Sequence, residues 1–325
     1  MRSGVKFSVS VAAVLCTCIV GTSIRINLQA SDRRLAFALS AFRPIERNSI
    51  KMSSGGDGKT YVITGATDGI GLHTAKRIAK YNPKNKLILH GRNSDRIAKA
   101  ISAVRQLGCE SVFGYEANLL SIQETKDLAE RIAKDHPHID VLLNNAGVFA
   151  ETPIRSENDL EGTFHCNVVA PYILTCRLAR HLPDGTGRLV ITSSISQGGS
   201  LDLDRVQNLS GHSAYSVSKL ADCALALWFA EKLEKRGIKC HTLDPGTVNT
   251  KMLLAGWGAC GIDVNSADDT FWLAVTDAPI VTENTGTYFV GRAPSRPHRD
   301  ALDNSKRKAL VEYLQKLTGV NPAEV

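Results

Sequence analysis

The sequence predicts an α/β fold: a single doubly wound domain with a mostly parallel seven-stranded sheet and helices on both of its faces. Short apolar runs alternate with longer helical segments from Thr60 onwards, which is typical of parallel strands covered on both faces. A glycine-rich turn directly follows the first of these runs. No repeat of solenoid length interrupts the alternation.

Each strand is predicted from a short run of apolar and β-branched residues, and each helix from a longer segment between two such runs. The predicted strands are residues 61–64, 87–90, 111–115, 139–144, 188–193, 238–244 and 286–290. The predicted helices are residues 71–81, 94–107, 121–134, 157–181, 213–236 and 301–317. The first helix stops at Asn82-Pro83, because proline cannot continue a helix. Right-handed crossovers between successive strands give the doubly wound order.

The first part of the chain, residues 1–52, is predicted to be a poorly ordered targeting segment that precedes one folded domain, residues 53–325. Residues 9–24 carry no charge and are shorter than a membrane span of about 20 residues, so they suit a secretory signal or signal anchor. The stretch 24–51 is rich in arginine and serine, as in a transit peptide. The leader therefore predicts a secretory or plastid address with membrane attachment, and a cytoplasmic location is the alternative.

The net charge of +7 lies almost entirely in this leader. Residues 1–51 hold eight basic and two acidic side chains, whereas the other 274 residues hold 31 basic and 30 acidic ones. Because a nucleic-acid-binding domain needs a basic patch, nucleic acid is not an expected partner. The eight cysteines form no Cys-x-x-Cys pair and no zinc-like cluster with histidine, so no bound metal is predicted.

The turn after the first strand has the spacing Gly-x-x-x-Gly-x-Gly and opens the first helix. Such a turn lets backbone N–H groups approach a pyrophosphate, and the helix N-terminus favours the anion. At the start of a series of alternating strands and helices it predicts a dinucleotide site. The residues expected to bind the dinucleotide here are Gly65, Thr67, Asp68, Gly69, Ile70 and Gly71.

The residues after the second strand indicate which dinucleotide binds. Sites that prefer NAD place an acidic residue near this point for the ribose 2′-hydroxyl, but this chain continues as Gly91-Arg92-Asn93. The guanidinium of Arg92 suits a 2′-phosphate instead. NADP(H) is therefore the preferred cofactor, and NAD(H) is the alternative.

A tyrosine and a lysine four residues apart, Tyr215 and Lys219, indicate acid/base chemistry. On a helix these positions share a face, and a nearby ammonium favours the phenolate form of a tyrosine. Earlier in the chain a predicted strand ends at Ser193-Ser194, where a hydroxyl could stabilise charge on a reacting oxygen. Ser194 is the predicted residue, and Ser193 is the alternative if the strand register differs by one.

Together these motifs resemble those of the classical short-chain dehydrogenase/reductase family, in particular its retinol-dehydrogenase-like and WW-domain-oxidoreductase-like branch. The resemblance covers residues 59–290 and also rests on Asn144-Asn145-Ala146-Gly147, on Asn167 in HCNVVAP and on the segment DPGTV at 244–248. It implies that Ser194, Tyr215, Lys219 and Asn167 are catalytic, with Asn167 in a proton relay. Further cofactor contacts are implied for Asn118, Leu119, Asn145, Ala146, Gly147, Tyr215, Lys219, Pro245, Gly246, Thr247 and Val248.

The resemblance implies a Rossmann-type oxidoreductase that moves a hydride between NADP(H) and a small-molecule carbonyl or alcohol. The apolar segment 250–258 favours a lipophilic substrate. Asn118 stands where the family often has aspartate, and the stretch from Ser194 to Tyr215 is longer than usual, so relatives are a poor guide to the substrate.

A non-catalytic dinucleotide-binding regulatory module and an NAD-using epimerase or dehydratase on a related fold are the alternative functions. Homo-oligomerisation through the long helices 157–181 and 213–236 is common in the family and is an expectation here.

Overall fold

The computed structural model describes residues 56–325, and the predicted leader lies outside this range. The strands are β1 (Thr60–Ile63), β2 (Lys86–Gly91), β3 (Val112–Glu116), β4 (Val141–Asn144), β5 (Arg188–Thr192), β6 (Lys239–Asp244), β7 (Thr287–Val290) and β8 (Ala293–Ser295). The helices are α1 (Gly69–Tyr81), α2 (Ser94–Arg105), α3 (Ile122–Asp135), α4 (Gly162–Phe164), α5 (Ala170–Leu178), α6 (Gly211–Leu233), α7 (Lys251–Gly256), α8 (Asp269–Val275), α9 (Pro279–Thr282), α10 (Arg299–Leu302) and α11 (Asn304–Thr318). A π-helical segment, His165–Val169, joins α4 to α5. Within 56–325 no helix is both long and apolar enough to cross a membrane.

The sheet has the strand order β3-β2-β1-β4-β5-β6-β7-β8. Strands β1 to β7 are all parallel, and β8 pairs antiparallel with β7. The doubly wound, mostly parallel sheet is confirmed, but the predicted number of seven strands is wrong. The eighth strand has only three residues, and Pro294 at its centre gives no sequence signal for a strand. Proline is tolerated there because β8 lies at the edge of the sheet, where a missing N–H leaves no partner unpaired.

Two predicted helices are divided in the structure. The segment 157–181 starts its helix only at Gly162 and passes through the π-helical turn before α5. The predicted terminal helix 301–317 is split at Asp303, whose side chain accepts hydrogen bonds from the backbone N–H groups of Ser305 and Lys306 and so starts α11. An aspartate in this position caps a helix N-terminus, which is why one helix ends and another begins there.

Alternate residues of the central strands face two apolar layers, because successive side chains of a strand point to opposite faces. Val62 belongs to a hydrophobic core shared with α3, α5 and α6. Its neighbour Ile63 is equally buried but points to the other face, where α1 contacts both α2 and α8. Cover on both faces explains why the strands are continuously apolar.

Candidate active site

The candidate site lies where β1, β4, β5 and β6 end. These strands are parallel neighbours in the sheet, so their carboxyl ends form one edge. In open α/β sheets ligands bind outside the carboxyl ends of the strands, near the point where the strand order reverses. Each of these strands is followed at this edge by a predicted site segment: β1 by the glycine turn, β4 by Asn145, β5 by Ser194 and β6 by Pro245.

The glycine turn between β1 and α1 has a backbone that only glycine accommodates well. Gly65 and Gly69 have φ angles of +66° and +50°, in the left-handed region. A Cβ on Gly71 would lie 2.4 Å from the carbonyl oxygen of Gly65, so α1 approaches the turn too closely for a side chain. Asp68 caps α1 by accepting the N–H of Gly69 at 2.8 Å. Thr67 and Ile70 are partly exposed in the same turn.

Thr64 fastens this turn to the loop after β4. Its hydroxyl accepts hydrogen bonds from the backbone N–H groups of Asn145 at 3.0 Å and Ala146 at 2.9 Å. The side-chain amide of Asn145 donates to the Thr64 carbonyl at 3.0 Å. The structure therefore brings Asn145 and Ala146 directly against the glycine turn.

His90, at the end of β2, also supports the turn, although sequence reasoning gave it no role. Its Nδ1 accepts the N–H of Gly65 at 3.4 Å, and its Nε2 lies 3.1 Å from the carbonyl oxygen of Ala117, to which it donates in this tautomer. Burial lowers the pKa of His90 to about 4, so the imidazole is neutral at physiological pH. A buried histidine in a strand carries no sequence signal for such a role.

Cationic side chains surround the outer end of the glycine turn. Arg92 is exposed directly after β2 and forms no ion pair with any residue of 56–325. Arg96, on the first turn of α2, and Lys251, on α7, both bind the carboxylate of Asp68, at 3.0 Å and 2.6 Å. The hydrogen bond from Lys251 holds the pKa of Asp68 below its usual value. Arg96 and Lys251 were missed in the sequence because charges on exposed helices are common.

Asn118 and Leu119 follow β3, farther along the same edge. The Asn118 side chain accepts the N–H of Leu120 at 3.1 Å and donates to Glu157 at 3.4 Å. Leu119 is buried in the hydrophobic core, so its side chain does not face the edge. Neither residue forms a hydrogen bond with Ser194, Tyr215 or Lys219 in the described part of the chain.

The structure distinguishes the two serines after β5. The hydroxyl of Ser193 is buried and donates to the carbonyl oxygen of Lys219 at 2.7 Å. Ser194 is partly exposed, and its hydroxyl accepts the N–H of Ser196 at 3.1 Å. Only Ser194 therefore presents a hydroxyl towards the open side of this edge.

Tyr215 and Lys219 share one face of α6. The Tyr215 side chain is 8% exposed, and its hydroxyl forms no hydrogen bond within the described chain. The Lys219 ammonium lies 5.8 Å from the centre of the Tyr215 ring. It donates to the carbonyl oxygen of Thr192 at 2.9 Å and to the carboxylate of Asp222 at 2.8 Å.

Asn167 lies in the π-helical segment and is almost fully buried. Its amide accepts the N–H of Val148 at 2.8 Å and donates to the Val148 carbonyl at 3.1 Å and to the Ser218 hydroxyl at 2.9 Å. A Cβ on Gly147 would lie 3.4 Å from Oδ1 of Asn167 and 3.6 Å from Nζ of Lys219. The structure thus brings Asn167, Lys219 and Gly147 together.

The turn after β6 forms the other wall of the site. Gly246 has a φ angle of +88°, and no atom lies within 4 Å of where its Cβ would be. Asp244 accepts the N–H of Gly246 at 3.2 Å and the N–H of Ile195 at 2.9 Å, so it joins this turn to the Ser194 segment. Val248 is buried and Thr247 is exposed. Asp244 is a further supporting residue to which the sequence assigned no role.

Aromatic rings surround Tyr215 at the mouth of the site. The Tyr215 ring lies 5.3 Å from Trp257 and 5.8 Å from Phe149, measured between ring centres. His212, one turn earlier on α6, lies 4.8 Å from Trp257 and 5.0 Å from Phe149. Trp257 follows α7, on which Leu254 is exposed. These apolar surfaces face solvent next to the predicted acid/base residue.

Histidine, cysteine and acidic side chains do not form a metal site in the described part of the chain. No group of three or more of them is placed to hold an ion there. Among the six described cysteines, Cys260 alone is exposed.

Comparisons with known proteins identify relatives over most of the described residues. A family model described as short chain dehydrogenase matches residues 59–256. An uncharacterized oxidoreductase of Emericella nidulans is 33% identical over 261 residues, which cover 79% of this chain and 96% of the relative. Retinol dehydrogenase 14 of Mus musculus is 27% identical over 305 residues, which cover 83% and 90%. A short chain dehydrogenase from Burkholderia cenocepacia, solved in complex with NADP, has the same fold, with a TM-score of 0.59, 24% identity and coverage of 72% and 96%.

Proposed function

The chain belongs to the short-chain dehydrogenase family, and from this premise we propose that it transfers a hydride between NADP(H) and a lipophilic carbonyl compound or alcohol. The observation that carries the proposal is the convergence of Tyr215, Lys219 and Asn167 beside the glycine turn. A protein that only bound a dinucleotide would not need an acid/base pair. The four residues proposed to be catalytic remain Ser194, Tyr215, Lys219 and Asn167.

The shape of the site suits a nicotinamide dinucleotide. The positive φ angles of Gly65 and Gly69 turn the backbone at the N-terminus of α1, where N–H groups and the helix dipole favour a pyrophosphate. The space beside Gly246 is open at the opposite wall. When bound, the dinucleotide supplies or accepts the hydride. The glycine turn, the Asn145–Gly147 loop and the turn 245–248 are the segments that would hold it.

Proton transfer is the task that we assign to Tyr215. In the reducing direction its hydroxyl donates a proton to the carbonyl oxygen while the carbonyl carbon accepts the hydride, which leaves a phenolate. Lys219 stabilises that phenolate through its positive charge. The Ser194 hydroxyl donates a hydrogen bond to the same oxygen and stabilises its developing negative charge. Return of a proton to Tyr215 takes place on the side of Lys219 and Asn167.

The preference for NADP(H) rests on Arg92. Its guanidinium is exposed and forms no ion pair within residues 56–325, and neither neighbour, Gly91 or Asn93, is acidic. An arginine can bind a phosphate through two parallel hydrogen bonds. The Burkholderia cenocepacia protein of the same fold was solved with NADP, which supports the same choice.

A lipophilic substrate is supported by the aromatic mouth. The rings of Phe149 and Trp257 flank Tyr215, and the neighbouring Ile195 and Leu254 are exposed. Exposed apolar surface next to a reactive group is typical of a site for apolar ligands. The name of the mouse relative, retinol dehydrogenase 14, describes an alcohol of this class.

The test is turnover by purified protein with NADPH and a panel of aliphatic and aromatic aldehydes and ketones. We expect NADPH oxidation with apolar members of the panel and a loss of at least about 100-fold in kcat for Tyr215→Phe, the size of effect typical of a general acid. Binding of NADPH to this variant should be retained.

Tyr81→Phe is the matched control. Tyr81 ends α1, twelve residues beyond Gly69, and therefore lies roughly 18 Å from the glycine turn along the helix. Its variant should keep full turnover. Full activity of Tyr215→Phe would reject Tyr215 as the acid, and no turnover by the unmodified protein with any substrate would favour a regulatory module.

A further inference from the structure

Asp222 is a buried acid that touches the proposed catalytic lysine. It lies one turn after Lys219 on α6 and is 1% exposed. One carboxylate oxygen accepts a hydrogen bond from the Lys219 ammonium at 2.8 Å. The other oxygen is also buried and has no hydrogen-bond partner in the described chain. Because a buried polar atom without a partner is costly, the burial of this carboxylate beside Lys219 requires an explanation.

The surroundings of the pair offer Asp222 no second partner. The titratable groups that act on Lys219 or Asp222 are Tyr215 and Cys223 on α6 and Cys166 on the π-helical segment, and Cys166 is also influenced by Arg92. Burial keeps the thiols of Cys166 and Cys223 protonated, with pKa values raised to about 12. Among residues 56–325, Lys219 is therefore the only cation that touches Asp222.

Asp222 affects both the position of the Lys219 ammonium and its pKa. The Lys219 ammonium is held between the Thr192 carbonyl and Asp222, which leaves its third proton for the side of Tyr215 and Gly147. Burial acts to lower the pKa of Lys219, but the charges of Asp222 and Tyr215 outweigh it and raise the pKa above its usual value. Burial raises the pKa of Asp222, and the attraction of Lys219 offsets only part of this effect.

We propose that Asp222 is a positioning residue of the active site, which holds the Lys219 ammonium and balances its charge, and so sets how strongly the pair favours the phenolate of Tyr215. The proposal rests on the acid/base role given above to Tyr215 and Lys219. A lysine with a carboxylate partner attracts a phenolate less than a lone lysine does, because the two charges of the pair largely cancel at a distance. In return, the carboxylate holds the buried amine in place and offsets the cost of burying its charge.

The test is Asp222→Asn, which keeps the shape and a hydrogen-bond acceptor for Lys219 but removes the negative charge. We expect the midpoint of the rising limb in the pH profile of alcohol oxidation to move to lower pH by about one unit, the size typical of a nearby charge. The direction follows because Lys219, still protonated and bound to the Thr192 carbonyl, attracts the phenolate of Tyr215 more strongly once the opposing negative charge is gone. An unchanged midpoint, or one at higher pH, would overturn the proposal.

Cys223→Ala is the matched control for packing. Cys223 is the next residue on α6, is fully buried and donates through its thiol to Ser193 at 3.2 Å. Its truncation should lower the free energy of unfolding without moving the pH profile. If Cys223→Ala moved the midpoint as far as Asp222→Asn does, the effect would belong to packing and the proposal would fail.

A second measurement separates this proposal from the proposed function. Ionisation of Tyr215 changes the ultraviolet absorbance of the protein, and the difference between proteins with and without Tyr215→Phe isolates this absorbance step. The step can be followed against pH even if the protein turns over no substrate. We expect Asp222→Asn to move this step to lower pH, whatever the substrate. If Asp222→Asn does not fold, Asp222→Ser tests the same loss of charge, and an unmoved step in either variant would contradict the role of Asp222.

Discussion

Arg92 is the single residue on which the proposed choice between the two dinucleotides depends. It stands at the end of β2 in place of the acid that would bind a ribose 2′-hydroxyl, and no residue of the described chain neutralises it by an ion pair. Arg96 lies one turn further on, but its guanidinium already binds Asp68 at 3.0 Å. Arg92 is therefore the cation that remains free for a 2′-phosphate.

Arg92→Ala should weaken NADPH binding by roughly 10–100-fold, because a hydrogen bond to a charged group contributes about 1.5–3 kcal/mol. NADH binding should change by less than about threefold, since NADH lacks the 2′-phosphate. Titration of the cofactor by protein fluorescence gives both dissociation constants. Lys99→Ala, which removes an exposed charge from the nearby helix α2, should leave both unchanged, and equal losses for the two cofactors in Arg92→Ala would remove the 2′-phosphate role.

The sequence predicted the residues proposed to react but not those that hold them in place. Tyr215, Lys219 and Ser194 follow from spacing and order along the chain, whereas the choice between Ser193 and Ser194 needed the contact of Ser193 with α6. Asp222 could not have been found, because one carboxylate on a long helix is usually solvent-exposed. Its burial follows from packing between elements distant in sequence, which no local pattern encodes.

Among the elements, the glycine turn is the one whose geometry tolerates least change. A Cβ on Gly71 would lie 2.4 Å from the carbonyl oxygen of Gly65 and 2.6 Å from the side-chain amide nitrogen of Asn145. The Asn145 side chain is held by its hydrogen bond to the Thr64 carbonyl, and Gly65 lies two residues after the end of β1. A side chain at this position therefore has to displace backbone.

Gly71→Ala should lower the free energy of unfolding by about 1–3 kcal/mol, the usual effect of overpacking, and weaken NADPH binding by about tenfold or more. Chemical denaturation and cofactor titration measure the two effects. Gly198→Ala is the matched control, because its Cβ would meet no atom closer than 3.7 Å. Stability of Gly71→Ala equal to that of the control would show that α1 does not pack against the turn as described.

Element boundaries were less predictable than element types. Residues 157–181 have helical character throughout, but the π-helical turn at Asn167 depends on hydrogen bonds to Val148 in a loop 19 residues earlier. The eighth strand and the break at Asp303 likewise depend on a neighbouring strand or a cap. Periodicity reports which face is buried, and it does not report such tertiary contacts.

At the scale of the whole molecule, three buried histidines make folding sensitive to acid. Burial lowers the pKa values of His90, His165 and His241 to about 4, whereas an unfolded histidine titrates near 6.5. The unfolded chain therefore binds protons first as the pH falls. The stability that these residues contribute is present above about pH 6.5 and is lost progressively between pH 6.5 and pH 4.

His165→Leu should reduce this acid sensitivity. Both ring nitrogens of His165 are buried without a partner among residues 56–325, so an apolar side chain removes no hydrogen bond there. The fall in the free energy of unfolding between pH 7 and pH 5 should be smaller by about 2 kcal/mol in the variant. Denaturation curves at the two pH values measure it, and an equal fall in both proteins would contradict the buried neutral imidazole.

The C-terminal helices limit which surfaces remain for other chains. Both α10 and α11 pack on α6, and Arg307 of α11 donates to Glu231 of α6 and to the carbonyl of Ala301. Residues 217–226 of α6 are buried within the single chain. The expected homo-oligomerisation through this helix stays a prediction, and it would have to use the ends of α6.

The central claim is that Tyr215 donates the proton while hydride passes from NADPH to a carbonyl carbon. The most direct measurement uses NADPH deuterated at nicotinamide C4, with mass spectrometry of the alcohol formed from a lipophilic aldehyde. We predict one deuterium on the carbinol carbon with the unmodified protein and almost none with Tyr215→Phe. Equal deuterium transfer by both proteins, or no labelled alcohol from any aldehyde, would contradict the account.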